Sequence, residues 1–326
     1  MSYKSSLLPL LAVGLLASQS AQSALVITSD GANLGFSIST IVDNIQAPNG
    51  IVLGSAINSA GQILVVPYGG NRVDVYNNTN NQTFANRVGT ASFSNGVTAL
   101  VSVNGVVYGG GGALRKLNND GTTAATYSNI QITHGMWVNP VNNKILALAG
   151  NSSLIEIDVS GANPTVRSVA SISGGTDGIT VSPDGKFVYT SQGQKIDIAT
   201  GAITSFTVAS GADGMGVITS SNSLNGSIVV NTTNGQLVLQ NALTFAQTVL
   251  ASGGGYGDFV GADATTGTLM FGSGNAFLRL SCGVGCGIGV APPPPPPSSG
   301  VPLPASMLLF GLGLVAMGGA VRNRKS

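Results

Sequence analysis

The 326-residue sequence has few of the side chains on which enzymes usually rely. It contains one histidine, His134, one glutamate, Glu156, one tryptophan, Trp137, and two cysteines, Cys282 and Cys286. A single glutamate excludes a hydrolase built on two of them. No Gly-x-Ser-x-Gly elbow and no His-Glu-x-x-His pair occurs, which removes the α/β-hydrolase and zincin routes. Charged residues make up only 8% of the chain. Between Ala24 and Ser281 nine basic residues face 12 acidic ones, a net charge of −3. There is no basic patch to displace counterions from a phosphate backbone, so a nucleic-acid partner is excluded. Aromatic residues are 6% of the chain, and no stacking platform for sugars is evident.

What the chain has in abundance is glycine, 47 residues, among Val, Ile, Thr, Asn and Ser. Many β-formers, frequent turn residues and no sustained helical period indicate an all-β domain. A polar residue, Gly and an aliphatic residue recur as Asn49-Gly-Ile51, Asn95-Gly-Val97, His134-Gly-Met136, Asp177-Gly-Ile179 and Asp213-Gly-Met215, with an altered copy at Gly257-Asp-Phe259. The glycines are 46, 39, 43, 36 and 43 residues apart, the length of a four-stranded propeller blade. The fourth unit displays the plan: Gly178–Val181 as inner strand, a Pro183-Asp-Gly185 turn, Lys186–Thr190, Gln194–Ile198, and Ala202–Ala209 outermost. In the first unit Val73–Tyr76 fills the third-strand slot, and in the third unit Leu154–Asp158 does. Six inner strands predict a six-bladed β-propeller over 24–281, with seven blades as the alternative. The last unit, Phe259 to Ser281, has room for three strands only, whereas Phe36–Val42 alternates cleanly and has no blade of its own. It is expected to close the ring as the outer strand of the sixth blade.

The two ends carry processing signals. Lys4, an apolar core from Leu7 to Ala17, and Ala21-Gln22-Ser23 form a signal peptide over 1–23, with the mature chain starting near Ala24. Cys282-Gly-Val-Gly-Cys286 opens a 282–300 linker. In an exported chain this pair favours a small disulfide loop, with intermolecular pairing as the alternative; two thiolates with no third Cys make a poor metal site. Pro292 to Pro297 then form a stiff spacer of about 19 Å. The segment 301–326 holds Val301-Pro302-Leu303-Pro304-Ala305, an uncharged run from Met307 to Val321, and the basic end Arg322, Arg324 and Lys325. The apolar helix, 306–321, is short for a bilayer but can enter one if its ends snorkel. Motif, helix and basic end resemble the PEP-CTERM tail in its VPLPA variant. That resemblance implies export across the inner membrane, transient anchoring by the helix, and cleavage near the motif by an exosortase. It further implies a destination at the cell surface or outside the cell, and association with exopolysaccharide.

The stretch Asp177-Gly-Ile-Thr-Val-Ser-Pro-Asp-Gly-Lys-Phe-Val-Tyr-Thr190 resembles the repeat of YVTN/NHL and gluconolactonase-like propellers. That superfamily contains lactonases, a streptogramin lyase, surface-layer proteins and pure interaction modules, so fold alone does not select a function. Residues at equivalent repeat positions converge at the channel mouth: Asn49, Asn95, His134, Asp177, Asp213 and Asp258. Gluconolactonase-like propellers hold a divalent metal at this level with Glu, Asn and Asp. By that resemblance Asn49, Asn95, Asp177, Asp213 and Asp258 are candidate ligands for Ca²⁺, although Asn49 stands where the family has Glu. The same Asx-Gly pairs are also good turn chemistry where a strand begins. His134, as a lone imidazole there, is the candidate general base, or a solvated turn residue. Two readings follow: an exported binding and display module for extracellular polysaccharide or surface proteins, or a metal-dependent hydrolase or lyase with its site in the channel.

Overall fold

The computed structural model describes residues 24–47, 50–69, 71–150, 152–220, 222–283 and 288. The signal segment 1–23, Asn49, Cys286, the proline run and the sorting tail 301–326 with its expected helix lie outside the described residues. Among the described residues no helix is long and apolar enough to cross a membrane.

Six sheets form the six blades of a propeller, antiparallel throughout except for one short strand added to the sixth. Their inner strands are Val52–Ile57, Ala99–Val103, Met136–Val138, Ile179–Val181, Ala212–Val217 and Val260–Asp263. No seventh sheet occurs among the described residues. The fourth blade shows the sequence logic: Ile179–Val181, Phe187–Thr190 and Gln194–Asp197 pair in order, and a short outer strand, Ile203–Ser205, ends the sheet. Gly185 takes φ +69° at the first turn, as its place after Pro-Asp requires. The apolar residues of facing blades interdigitate as separate clusters. Leu146, Leu148, Ile179, Val181 and Ile196, for example, fill the seam between the third and fourth blades.

The ring closes where the unpaired alternating segment predicted it. Ser37–Asp43 lies antiparallel to Ala276–Ser281, as the outer strand of the sixth blade. First and last segments of the propeller thereby share one sheet.

Two further devices guard this seam, and the repeat pattern gave no sign of either. Val26–Ile27 adds a fifth strand to the fifth blade, followed by a one-turn helix, Ser29–Asn33, whose Thr28 Oγ1 accepts from the Gly31 N–H at 3.0 Å. In the first blade an excursion between Arg72–Tyr76 and Gly89–Ser92 sends Gln82–Thr83 to run parallel with Ser37–Asp43. From the same excursion Asn78 and Asn80 accept hydrogen bonds from the buried Arg279, which also pairs with Asp263 at 3.3 Å. Past the last strand, Cys282 is disulfide-bonded and Ile288 is fully buried in the cluster between the fifth and sixth blades.

Ile41 on the closing strand is fully buried, whereas Ile203 on the outer strand of the fourth blade is 41% exposed. Ile41→Ala is expected to cost about 2–5 kcal/mol, and Ile203→Ala less than about 0.5 kcal/mol. Urea unfolding of both variants measures the difference.

Candidate functional site

The inner strands determine what meets at the channel mouth. In three consecutive blades the repeat glycine lies against the next blade's backbone. A Cβ on Gly135 would sit 2.3 Å from the Asp177 carbonyl oxygen, one on Gly178 1.8 Å from that of Asp213, and one on Gly214 2.0 Å from that of Asp258. The Gly135 N–H also donates to the Asp177 carbonyl at 2.9 Å. None of these three glycines has a positive φ. They are therefore not turn glycines: they are present because two inner backbones approach too closely for any side chain.

This contact corrects the register of the first two repeats. In the first blade the corresponding residue is Gly54, which pairs with Val66 and whose Cβ would meet Leu100 N at 2.9 Å and Ala99 Cα at 3.2 Å. Gly50, matched by its Asx-Gly spacing, instead takes φ +65° and turns the chain upstream. In the second blade Ala99 stands at the contact, and Asn95 is an exposed loop residue before the strand. Thus Asn95 is not in the ring, and Asn49 lies outside the described residues. The observed ring reads Leu53, Thr98, His134, Asp177, Asp213 and Asp258, with polar side chains on five consecutive blades and titratable ones on the last four.

Within that arc His134 Nδ1 donates to Asp177 Oδ1 at 3.0 Å, both side chains about half exposed. The hydrogen bond to Asp177 raises the imidazole pKa above its usual value, against a smaller opposing effect of burial. Asp213 is 6% exposed and accepts a hydrogen bond from Tyr256 Oη at 2.9 Å. Burial pushes its carboxyl up to about 6; the Tyr256 bond opposes this, and the Asp177 charge adds to it. Asp258 is raised well above the usual carboxylate range by burial, then by Asp213 and Asp177. Tyr256 is shifted above an ordinary phenol by burial and by Asp213.

Trp137, on the third inner strand, packs against the apolar cluster between the third and fourth blades. Its indole Cη2 reaches 3.3 Å from where a Cβ on Gly216, in the fifth, would lie. Neither Trp137 nor Tyr256 was assigned to the mouth from sequence. The signal available for Tyr256 was its place in a Gly253-Gly-Gly-Tyr256 loop just ahead of the altered sixth repeat. Glu156 is in the third strand of its blade, paired with Arg167 at 3.1 Å and Lys144 at 3.4 Å.

Chemically, the arc offers an imidazole oriented by a carboxylate beside a second carboxyl that holds its proton to near-neutral pH. Among the described residues no three His, Cys, Asp or Glu side chains form a metal-holding group, and Leu53 brings no donor. The calcium expectation therefore passes to titration.

Comparison with known proteins agrees with both ends of this description. Residues 300–325 match the PEP-CTERM protein-sorting motif, which marks the chain for export and exosortase processing. No curated protein matches the sequence. A streptogramin B lyase structure superposes with a TM-score of 0.52 at 13% identity, over 76% of this chain and 98% of that one. A gluconolactonase from Xanthomonas campestris gives 0.52 at 14% identity, covering 79% and 95%. A catalytically inactive virginiamycin B lyase from Staphylococcus aureus with quinupristin gives 0.50 at 13% identity, covering 76% and 99%. At such identities the likeness is one of fold.

Two predictions follow from this geometry. Gly178→Ala should destabilise the protein by about 3 kcal/mol, because its Cβ would meet the Asp213 carbonyl at 1.8 Å. Gly175→Ala, with nothing within 4 Å of its Cβ, should change stability by less than about 0.5 kcal/mol. The second concerns pH. Asp213 has its pKa raised from 3.8 to about 6, so the folded state holds a proton that the unfolded chain releases. Its ionisation therefore removes up to about 3 kcal/mol as pH climbs from about 4 to about 6. His134, also raised, stabilises below its ordinary value and loses that contribution as pH rises through the raised one. Asp213→Asn should flatten the acid window and be the more stable protein at pH 7, as measured by chemical denaturation between pH 4 and pH 8.

Proposed function

We propose that this is an exosortase-processed protein of the cell surface or extracellular matrix whose propeller serves as a binding and display module. Extracellular polysaccharide or another surface protein is the partner class. The observation that carries this reading is the sorting motif at 300–325 following a complete propeller domain. Signal peptidase acts near Ala24, the 306–321 helix holds the precursor in the inner membrane, and the exosortase cuts near Val301–Ala305. Arg322, Arg324 and Lys325 keep the tail's end on the cytoplasmic side.

A second reading is favoured by the His134–Asp177 pair at 3.0 Å. In it the propeller is a hydrolase or lyase, with His134 as base at the mouth. Loss of turnover in His134→Asn, with unchanged folding, would be its signature in a substrate screen.

The display reading is tested in an exosortase-bearing host by replacing Pro302 and Pro304 with Ala. Wild type should reach the surface or medium at the processed mass, and the variant should stay in the inner-membrane fraction at precursor mass. Processed, surface-located variant protein would overturn the assignment of the motif.

A further inference from the structure

The arginines set into this propeller are matched by carboxylates, with one exception. Of the five between Ala24 and Ser281, Arg72 and Arg87 hold Asp74, Arg167 holds Glu156 and Arg279 holds Asp263. The fifth is Arg115, in Leu114–Leu117, the third strand of the second blade. It is only 8% exposed, yet among the described residues no acidic side chain pairs with it. Burial lowers its pKa, and no carboxylate lies near enough to oppose that shift. Taking an unmatched charge out of water is costly.

The hydrogen bonds of Arg115 leave one edge of its guanidinium unused. Nη1 donates to the Gly111 carbonyl at 2.8 Å and, at 3.5 Å, to that of Ala113. These bonds fix the head against the turn that leads into its own strand. That turn has no room to shift, since a Cβ on Gly111 would lie 2.0 Å from the Gly96 carbonyl oxygen. Nε and Nη2 have no acceptor among the described residues. Neither is sealed from solvent, in contrast to Arg279 Nε, which is buried without a partner. Nε–H and one Nη2–H point the same way, and this pair is the fork that receives both oxygens of a carboxylate. Phe93, which packs in the apolar seam between the first and second blades, has its ring centroid 5.8 Å from the guanidinium carbon. Thr126 is directly opposite Arg115 on the outer strand, so its exposed side chain shares the same face of the sheet.

We propose that the open edge of Arg115 is a carboxylate-binding site in the seam between the first and second blades. The inference rests on the binding-module reading and deepens it by naming a ligand group. The site is separate from the channel mouth: it lies two strands out from Ala99–Val103, about 10 Å at the usual strand spacing, on a blade that carries none of the four titratable mouth residues. One buried positive charge is balanced by one negative charge, which a carboxylate carries. Sulfate would bring a second charge that no neighbouring cation meets. A free organic acid and a uronic-acid sugar present the same carboxylate.

The full chain, purified in detergent, is titrated calorimetrically at pH 7 and constant ionic strength with acetate, glucuronate, glucose and sulfate. The proposal expects saturable binding of glucuronate, none of glucose, and sulfate weaker than glucuronate. Acetate bound as tightly as glucuronate supports the site with a free organic acid as ligand, and glucuronate bound more tightly supports it with an acidic sugar. Arg115→Met, which keeps the stem but not the fork, should weaken binding at least about tenfold. Arg115→Lys should weaken it similarly, because an ammonium keeps the charge without the fork. Lys116→Met, on the other face of the same strand, should leave it unchanged. A readout that needs no variant is the Arg115 Nε–H proton resonance of the wild type, which should shift with the same midpoint as the heat. No saturable binding of either carboxylate, glucose bound as well as glucuronate, sulfate bound more tightly than both carboxylates, an unmoved Nε–H resonance, or full binding in Arg115→Met would overturn the assignment. Because sorting is read separately by cell fractionation, a silent Arg115 on a correctly sorted protein removes this inference and leaves the display reading standing.

Discussion

The constraint on which the rest depends is the near-contact of inner-strand backbones around the axis. At Gly135, Gly178 and Gly214 the neighbouring blade's carbonyl occupies the space of a side chain. That proximity sets how tightly the third to sixth blades crowd together. It also aligns the residues just before the contact, His134, Asp177, Asp213 and Asp258, on four successive strand starts. Their electrostatic coupling is therefore a consequence of backbone geometry: carboxylates fixed to strands that cannot separate cannot relax their repulsion by moving apart. Burial first, and that repulsion second, make Asp213 and Asp258 hold their protons to higher pH than free carboxylates do.

Blade number and closure were legible because both are written in periodicity. An Asx-Gly-aliphatic unit every 36 to 46 residues counts the inner strands, and one alternating segment without a blade identifies the closing strand. The register of the mouth was less legible, since glycine has two uses that look alike in one dimension. Gly50 turns the chain with φ +65°, while Gly54 four residues later makes the close contact. Only the sheet register separates them. The seam devices were invisible for another reason: Asn78, Asn80 and Gln82 belong to a polar excursion with no repeat, and the partner of Asn78 and Asn80, Arg279, is about 200 residues away in sequence.

Closure is supported by contacts outside its own strand pair, and the physical reason is its sequence separation. Joining Ser37–Asp43 to Ala276–Ser281 closes a loop comprising almost the whole propeller. Its entropy cost is set against few local contacts, so the joint must be held by many long-range ones. The parallel strand Gln82–Thr83, the Arg279 network and the buried Ile288 all bear on the two blades flanking that joint or on the strand that makes it.

The same sheet relates the mouth to the chain's exit. In the sixth blade Ser273 pairs with Ala276 and Leu269 with Leu280, while Val260 pairs with Phe271 and Asp263 with Thr268. Ala276 therefore lies at the level of Asp258 and the mouth, and Ser281 lies at the opposite end of the blade, about 17 Å away at the usual rise per residue. Cys282 follows there, beside Gly35. The last strand of the propeller thus ends away from the face that carries His134, Asp177, Asp213 and Asp258. The pairing of Ser37–Asp43 with Ala276–Ser281 that closes the ring therefore involves none of the four residues at the mouth.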